Sequence, residues 1–120
     1  MIAPENPGQL NVREIVRQLR SSLGPTLVAV LAGNRDRTIS SSWARTDGVV
    51  PTAEAQERLE LAHRAWTTVS QSEGEHTARL WFIGAHPWLG DISPIEAISH
   101  MREKEVMVAA VAIVEDTFAG

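Results

Sequence analysis

The sequence predicts an all-α fold, and three observations support this. Apolar residues recur at helical spacing in several segments. Glycine, proline and small polar residues separate these segments at intervals of about one helix length. The single long apolar run, residues 106–114 near the C-terminal end, has no second run with which to pair as a sheet. With 120 residues, of which 43% are apolar, the chain can form one domain, or one domain with a small head.

The N-terminal third is predicted to hold three helices after an arm. Residues 1–10 contain two prolines and no periodicity, and we expect them to be a disordered arm. Asn11 and Glu14 suit the start of a first helix that ends at Gly24, with Leu10 and Ile15 as a hydrophobic staple.

A second helix is predicted over residues 25–31, because Pro25 suits a first turn and Gly33-Asn34 suits a stop. A third runs from Ile39 to Arg45 with Thr38 as its N-cap. Ile39 and Trp43 then share the buried face, while the three serines and Arg45 point outward. Two short helices joined by a glycine-containing turn are typical of a helix-turn-helix, so residues 11–50 are predicted to form such a head.

Residues 51–120 are predicted to form a second, helical unit. Pro51-Thr52 opens the longest helix, which runs to about Val69. After a polar break, Ser72 and Glu75 are predicted to form a capping box for a helix carrying Trp81 and Phe82, which Gly84 ends.

A tight apolar loop follows, in which Pro87 and Gly90 bracket Trp88 and Leu89. Ser93 with Glu96 then caps a further helix that has Pro94 at its first position.

The last segment, about residues 101–117, contains nine consecutive apolar residues from Val106 to Val114. Its alanines and its charged lead favour a helix over a strand. A helix that is apolar on nearly every face must be buried on nearly every face, which suggests cover by a second subunit and therefore a homodimer.

Charge is distributed unevenly along the chain. Residues 13–45 carry six arginines and two acidic residues, whereas residues 46–120 carry five basic and twelve acidic residues, within a total net charge of −4. A basic head on an acidic body fits a nucleic-acid-binding head joined to a protein-binding body, although scattered surface charge gives some asymmetry by chance.

Several function classes lack their sequence signals. There is no cysteine, the four histidines form no pair at metal-ligand spacing, and no nucleophile elbow or phosphate-binding glycine loop occurs. We therefore expect neither an enzyme nor a bound cofactor or metal. The first residues do not resemble a signal peptide, and no apolar run reaches membrane-spanning length, so a cytoplasmic protein is expected.

Residues 78–94 resemble the signature of the toxin-binding domain of the Xre/MbcA/ParS (DUF2384-like) antitoxin family. The matching positions are Ala78, Arg79, Trp81, Phe82, His86, Pro87, Leu89, Gly90, Ser93 and Pro94. Family members commonly have Asn-Pro-Ala-Leu-Gly-Gly where this chain has residues 86–91 as His-Pro-Trp-Leu-Gly-Asp. Three short segments likewise resemble the Xre-type helix-turn-helix that precedes this domain: Leu31–Gly33, Thr38–Trp43 and Gly48–Pro51.

The resemblance implies a type II antitoxin that neutralises a RES-domain, NAD-consuming toxin and represses its own operon by binding operator DNA. The implied toxin contacts are Trp81, His86, Pro87, Trp88, Leu89, Gly90 and Asp91 in the loop region, and Thr117, Phe118, Ala119 and Gly120 in the tail. The candidate DNA contacts are Arg35, Arg37, Thr38, Ser40, Ser41, Ser42 and Arg45, because serine and arginine contact phosphates and base edges.

Two other readings of the sequence stay open. The chain could be an orphan helix-turn-helix transcriptional regulator, such as one of prophage origin, whose C-terminal half serves only dimerisation. It could also be an interaction module with neither activity, in which Trp81 and Trp88 are core residues.

Overall fold

The computed structural model describes residues 11–119, with the side chains of residues 11–116. In this range the chain forms α-helices and one 3₁₀ turn, and no strand. The helices are α1 (Val12–Leu23), α2 (Pro25–Leu31), α3 (Ile39–Ala44), α4 (Ala53–Glu73), α5 (Glu75–Ile83), α6 (Pro94–Ser99) and α7 (Glu103–Ala119); the 3₁₀ turn is Pro87–Leu89. The prediction of an all-α fold is confirmed, including a helix for the last apolar run. The predicted arm, residues 1–10, lies outside the described residues.

Local capping explains where three of these helices begin. The side chain of Asn11 accepts a hydrogen bond from the Glu14 amide at 3.0 Å, and that of Ser93 accepts one from the Glu96 amide at 3.1 Å. Thr52 accepts similarly from the Ala55 amide at 3.2 Å. Each bond satisfies one of the amides that a helix leaves free at its N-terminus. The predicted starts of α1 and α6 are thus confirmed; the staple residue Leu10 lies outside the described range.

One predicted capping box is wrong, and one predicted N-cap residue makes no side-chain cap bond. Ser72 starts no helix: α4 continues past Val69 to Glu73, and Gly74, with φ of +87°, makes the break instead. The Ser72 hydroxyl donates to the Glu73 carboxylate at 2.6 Å. Thr38 occupies the predicted N-cap position of α3, but its side chain accepts no cap bond. Its own amide and hydroxyl instead donate to the Asp36 carboxylate at 2.9 and 2.7 Å. In both places, a neighbouring carboxylate accepts a hydrogen bond from the hydroxyl group that the sequence pattern assigns to a cap.

The ends of α2 and α6 share one hydrogen-bond pattern. At α2, Gly33 has φ of +80°, and the Asn34 amide donates to the Ala29 carbonyl at 3.0 Å. At α6, Met101 takes the same left-handed place with φ of +55°, and the Arg102 amide donates to the Ala97 carbonyl at 3.0 Å. Both are Schellman motifs, in which glycine is the usual left-handed residue.

A single hydrophobic core holds the helices together. Helix α4 packs against α1, α5, α6 and α7, and it contributes Leu59, Leu61 and Trp66 to the interior. The Trp66 and Phe82 rings lie 5.7 Å apart, and Phe82 also meets Trp81 edge-on at 5.2 Å. The core cluster includes buried residues from α1 through α7, on both sides of the predicted boundary between residues 50 and 51. This continuity fixes the loop after α5 relative to the N-terminal helices.

Candidate functional site

The loop between α5 and α6, residues 84–93, is held in shape by its own hydrogen bonds, and His86 makes most of them. The His86 Nε2 atom donates to the Trp81 carbonyl at 2.8 Å, and its amide donates to the Ile92 carbonyl at 3.1 Å. Its carbonyl accepts from the amides of Leu89 and Asp91 at 3.0 and 2.9 Å. Because these hydrogen bonds hold the backbone on both sides of the turn, the exposed side chains of the loop lie in fixed positions.

Two consecutive left-handed residues close this loop. Gly90 has φ of +73° and Asp91 has φ of +65°. Aspartate is one of the few residues besides glycine that adopts this conformation at a modest cost. Asp91, which stands where the resembled signature commonly has a second glycine, therefore occupies a backbone position that glycine suits.

The predicted toxin contacts divide into exposed and buried residues. Trp88 is 66% exposed, and Pro87, Gly90 and Asp91 also lie at the surface, while His86 is half-buried. Leu89 and Trp81, by contrast, are only 1% and 4% exposed. Leu89 is buried because the 3₁₀ turn points this side chain into the core that the helices share. As surface contacts, Leu89 and Trp81 are corrected to core residues.

Trp88 stands between two surface cavities. One is a groove of about 890 Å³ along the outer face of α7, lined by Met107, Val108 and Val111 among others. The other, of about 360 Å³, lies toward Trp81, His86 and Pro87. The exposed indole therefore forms part of the wall of both. The sequence pattern predicts that this helix needs cover, but it does not distinguish the groove residues as a site.

The predicted tail contacts Thr117, Phe118, Ala119 and Gly120 lie outside the described side chains. The α7 backbone reaches Ala119. This helix packs against the loop through the 3₁₀ turn, so the predicted tail contacts lie at the C-terminal end of an element that contacts the candidate site.

In the N-terminal helices, one candidate DNA contact is buried. Ser40 has no exposed surface, and its hydroxyl donates to the Pro25 carbonyl at 3.2 Å. The prediction that Ser40 points outward is wrong, since the helical period places it on the face of α3 that buries Trp43 and Ala44. Its small hydroxyl fits there because the first residue of α2 supplies an acceptor. Ser42 is half-buried, and its hydroxyl accepts from the Val49 amide at 2.9 Å.

Two arginines of the basic segment donate hydrogen bonds to backbone carbonyls at the end of α3 and in the loop that follows it. The Arg13 guanidinium donates to the carbonyls of Trp43 and Gly48, at 3.0 Å each, and to that of Arg45. Arg17 donates to the Ala44 carbonyl at 2.8 Å. These bonds satisfy carbonyls that a helix C-terminus leaves free. The positive charge that the sequence assigned to a DNA-binding head is thus partly structural.

The loop after α3 returns closely onto that helix. A Cβ atom added to Gly48 would lie 1.7 Å from the Ser42 carbonyl oxygen, so only glycine fits at this position. Gly48 thereby places its own carbonyl within reach of Arg13.

The other candidate DNA contacts remain at the surface. Arg35 and Arg37 line a cavity of about 460 Å³ together with Asn34 and His100. Neither guanidinium has a hydrogen-bond or ion-pair partner among residues 11–116. Thr38, Ser41 and Arg45 are also exposed. Between the two arginines, the hydrogen bonds from the Thr38 hydroxyl and amide lower the pKa of the Asp36 carboxyl.

The described residues contain no group of three or more metal-ligating side chains. Within residues 11–119, no helix combines the length and apolar character needed to cross a membrane.

Comparison with known proteins returned nothing: no protein-family model matches the chain, and no curated protein or solved structure gives a significant match.

Proposed function

We propose that this protein is an antitoxin that binds and neutralises a RES-type, NAD-consuming toxin. The proposal rests on the sequence signature at residues 78–94 and on the form of the loop that this signature occupies. Cytoplasmic action follows from the same proposal, because both the toxin and its NAD substrate would be met there.

The observation that carries the proposal is the exposure of Trp88. A tryptophan that is 66% exposed, on a loop fixed by hydrogen bonds around His86, loses little conformational freedom when a partner covers it. Large aromatic residues in this setting are typical of the few side chains that dominate binding energy at protein interfaces.

Inhibition would occur by exclusion. The loop side of Trp88, with Pro87 and the cavity toward His86, would dock on the toxin surface. Residues 117–120, at the C-terminal end of the helix packed against that loop, would then block the NAD pocket. No bond-making step by this chain is needed.

Capture of tagged protein from its native host tests the proposal. The wild-type chain should retain a stoichiometric protein partner with NAD-consuming activity, identified by mass spectrometry. A Trp88→Ala variant should retain much less of it, because the central aromatic contact is lost. Leu80→Ala is a matched control, since Leu80 is a comparably exposed apolar residue (53%) outside the loop. Equal capture by all three chains would place the binding surface elsewhere.

The surface arginines favour DNA binding as a second activity. Arg35 and Arg37 project at one edge of the short helices, free of intramolecular partners among the described residues, as phosphate-contacting arginines require. This activity would account for repression of the operon, and by itself it would make the chain an orphan regulator.

A mobility-shift assay with the DNA upstream of the gene tests this activity. Arg35→Ala/Arg37→Ala should weaken binding and reduce its salt dependence, because two phosphate contacts are lost. Arg64→Ala is the control, since Arg64 instead pairs with Glu103 at 2.6 Å. A shift that the double variant leaves unchanged would exclude this surface.

A further inference from the structure

Helix α7 presents an apolar strip to solvent on its outer face. Val108 and Val111 are 49% and 43% exposed, and with Met107 and Ala112 they form the floor of the groove described above. Exposure of adjacent branched aliphatic residues on a long helix is unfavourable in water, and such patches usually mark an interface.

Two charged residues bound this strip symmetrically. Lys104 and Glu115 line the same groove, and the four positions 104, 108, 111 and 115 are four, three and four residues apart. Such spacing places them on one face of the helix, as in helices that pack along their length. The Lys104–Glu115 pair and the Val108–Val111 pair share one midpoint, between Ala109 and Ala110.

This symmetry determines which orientation of two such helices is favourable. When two copies of α7 pack antiparallel about that midpoint, Lys104 of each copy lies opposite Glu115 of the other, and Val108 lies opposite Val111. A parallel arrangement would instead bring lysine opposite lysine and glutamate opposite glutamate. A two-fold interface makes each contact twice, so both favourable charge pairs form together.

Asp116 also lines the groove, and in the antiparallel arrangement it lies opposite Glu103 of the other copy, whose charge Arg64 balances. Two other acidic neighbours are already engaged within the chain. Glu103 pairs with Arg64 at 2.6 Å, and Glu105 pairs with Arg102 at 2.9 Å. Lys104 and Glu115 have no ion-pair partner among the described residues, which leaves both available across the interface.

We propose that a second copy of this chain covers the α7 groove, with the two α7 helices antiparallel and Lys104 paired with the partner's Glu115. Trp88 flanks the groove on each protomer, so its α7 side faces the second copy and its loop side stays open toward His86 and Pro87. The interface requires neither toxin nor DNA, and it therefore stands or fails independently of the proposed function.

Sedimentation equilibrium of the full-length chain at low salt tests this interface. The wild-type chain should be a dimer. Lys104→Glu and Glu115→Lys should each raise the dimer dissociation constant by about tenfold or more, because each replaces two attractive pairs by two repulsive ones. The double reversal, K104E/E115K, should return the constant to within a few-fold of the wild-type value.

Glu57→Lys is the matched control, because it makes the same charge change at an exposed position of α4 outside the groove. It should leave the dissociation constant unchanged. Circular dichroism of every variant verifies that the helices are intact. A monomeric wild-type chain would overturn the proposal, as would single reversals without effect or a double reversal that fails to restore the dimer.

Discussion

Asp91 differs from the glycine that is common at this position of the signature that residues 78–94 resemble, and one backbone angle accounts for the difference. Its φ of +65° lies in the left-handed region, directly after Gly90. Aspartate tolerates this region, so the loop keeps its conformation with Asp91 in place of a glycine. Nothing in the intramolecular contacts of the loop requires the carboxylate, which leaves that exposed group free to influence the choice of partner.

We predict that Asp91→Gly leaves the free energy of unfolding nearly unchanged. Asp91→Ala should be less stable than Asp91→Gly by about 1 kcal/mol, because alanine adopts the left-handed conformation only with strain. Urea denaturation measures both. Equal stability of the two variants would show that the loop is not held in this conformation.

His63 gives the fold a dependence on pH. Burial of its ring, whose Nε2 atom lies 2.9 Å from the Gln18 side-chain oxygen, lowers its pKa in the folded state. The unfolded chain, with a pKa of about 6.5, then binds more protons than the folded chain at mildly acidic pH. The stability that this residue contributes is therefore fully present above the unfolded-state pKa, and it is lost as the pH falls from there toward the lower folded-state pKa.

Replacing His63 should remove this dependence. We predict that the free energy of unfolding of the wild-type chain falls between roughly pH 7.5 and pH 5.5, and that His63→Gln shows a shallower slope. The glutamine keeps an amide that can bond Gln18. Denaturant titrations at several pH values give the slopes, and identical slopes would assign the dependence to other groups.

At the scale of elements, helix α1 fixes the end of α3 through its arginines. Arg13 bonds three carbonyls from Trp43, Arg45 and Gly48, which no other residue type reaches with one planar group. The geometry makes Arg13 a structural residue in a segment whose charge suggested DNA binding.

Accordingly, Arg13→Lys should lower the free energy of unfolding by about 1–2 kcal/mol, because an ammonium group cannot replace the forked hydrogen bonds. Arg35→Lys, at an arginine without intramolecular partners among the described residues, should change it by less than about 0.5 kcal/mol. Chemical denaturation compares the two. A tolerated Arg13→Lys exchange would mean that the bonds contribute little.

Of the two serines that the sequence predicts as helix caps, only one is a cap in the structure. Ser93 caps α6, whereas Ser72 lies within α4. Ser93→Ala should cost about 1 kcal/mol of stability, while Ser72→Ala should cost close to nothing. Thermal or urea unfolding of both variants distinguishes the positions, and a comparable loss for both would contradict the assignment of the α4 end at Glu73.

These elements also show what the sequence can predict. The starts at Asn11 and Ser93 depend on residues within one turn, so the local pattern was sufficient. The inward positions of Ser40 and Leu89 depend on a carbonyl from α2 and on the core beneath the 3₁₀ turn, which the local pattern does not contain. The exposure of Trp88 beside the buried Leu89 likewise required the folded loop.

At the scale of the whole molecule, one core supports two surfaces of different character. The surface arginines Arg35 and Arg37 lie on the N-terminal helices, and the loop with Trp88 lies on the C-terminal half. Because the core cluster is shared, neither surface is built on a separate unit. A protein that joins DNA and a toxin would need both surfaces at once.

The most direct test of the central claim measures NAD consumption by the captured partner as purified chain is added back. We predict that wild-type chain suppresses the activity at about one equivalent, and that Trp88→Ala requires a large excess, since its central contact is missing. The Leu80→Ala control should match wild type. NAD consumption that continues unchanged in an excess of wild-type chain would contradict the antitoxin account.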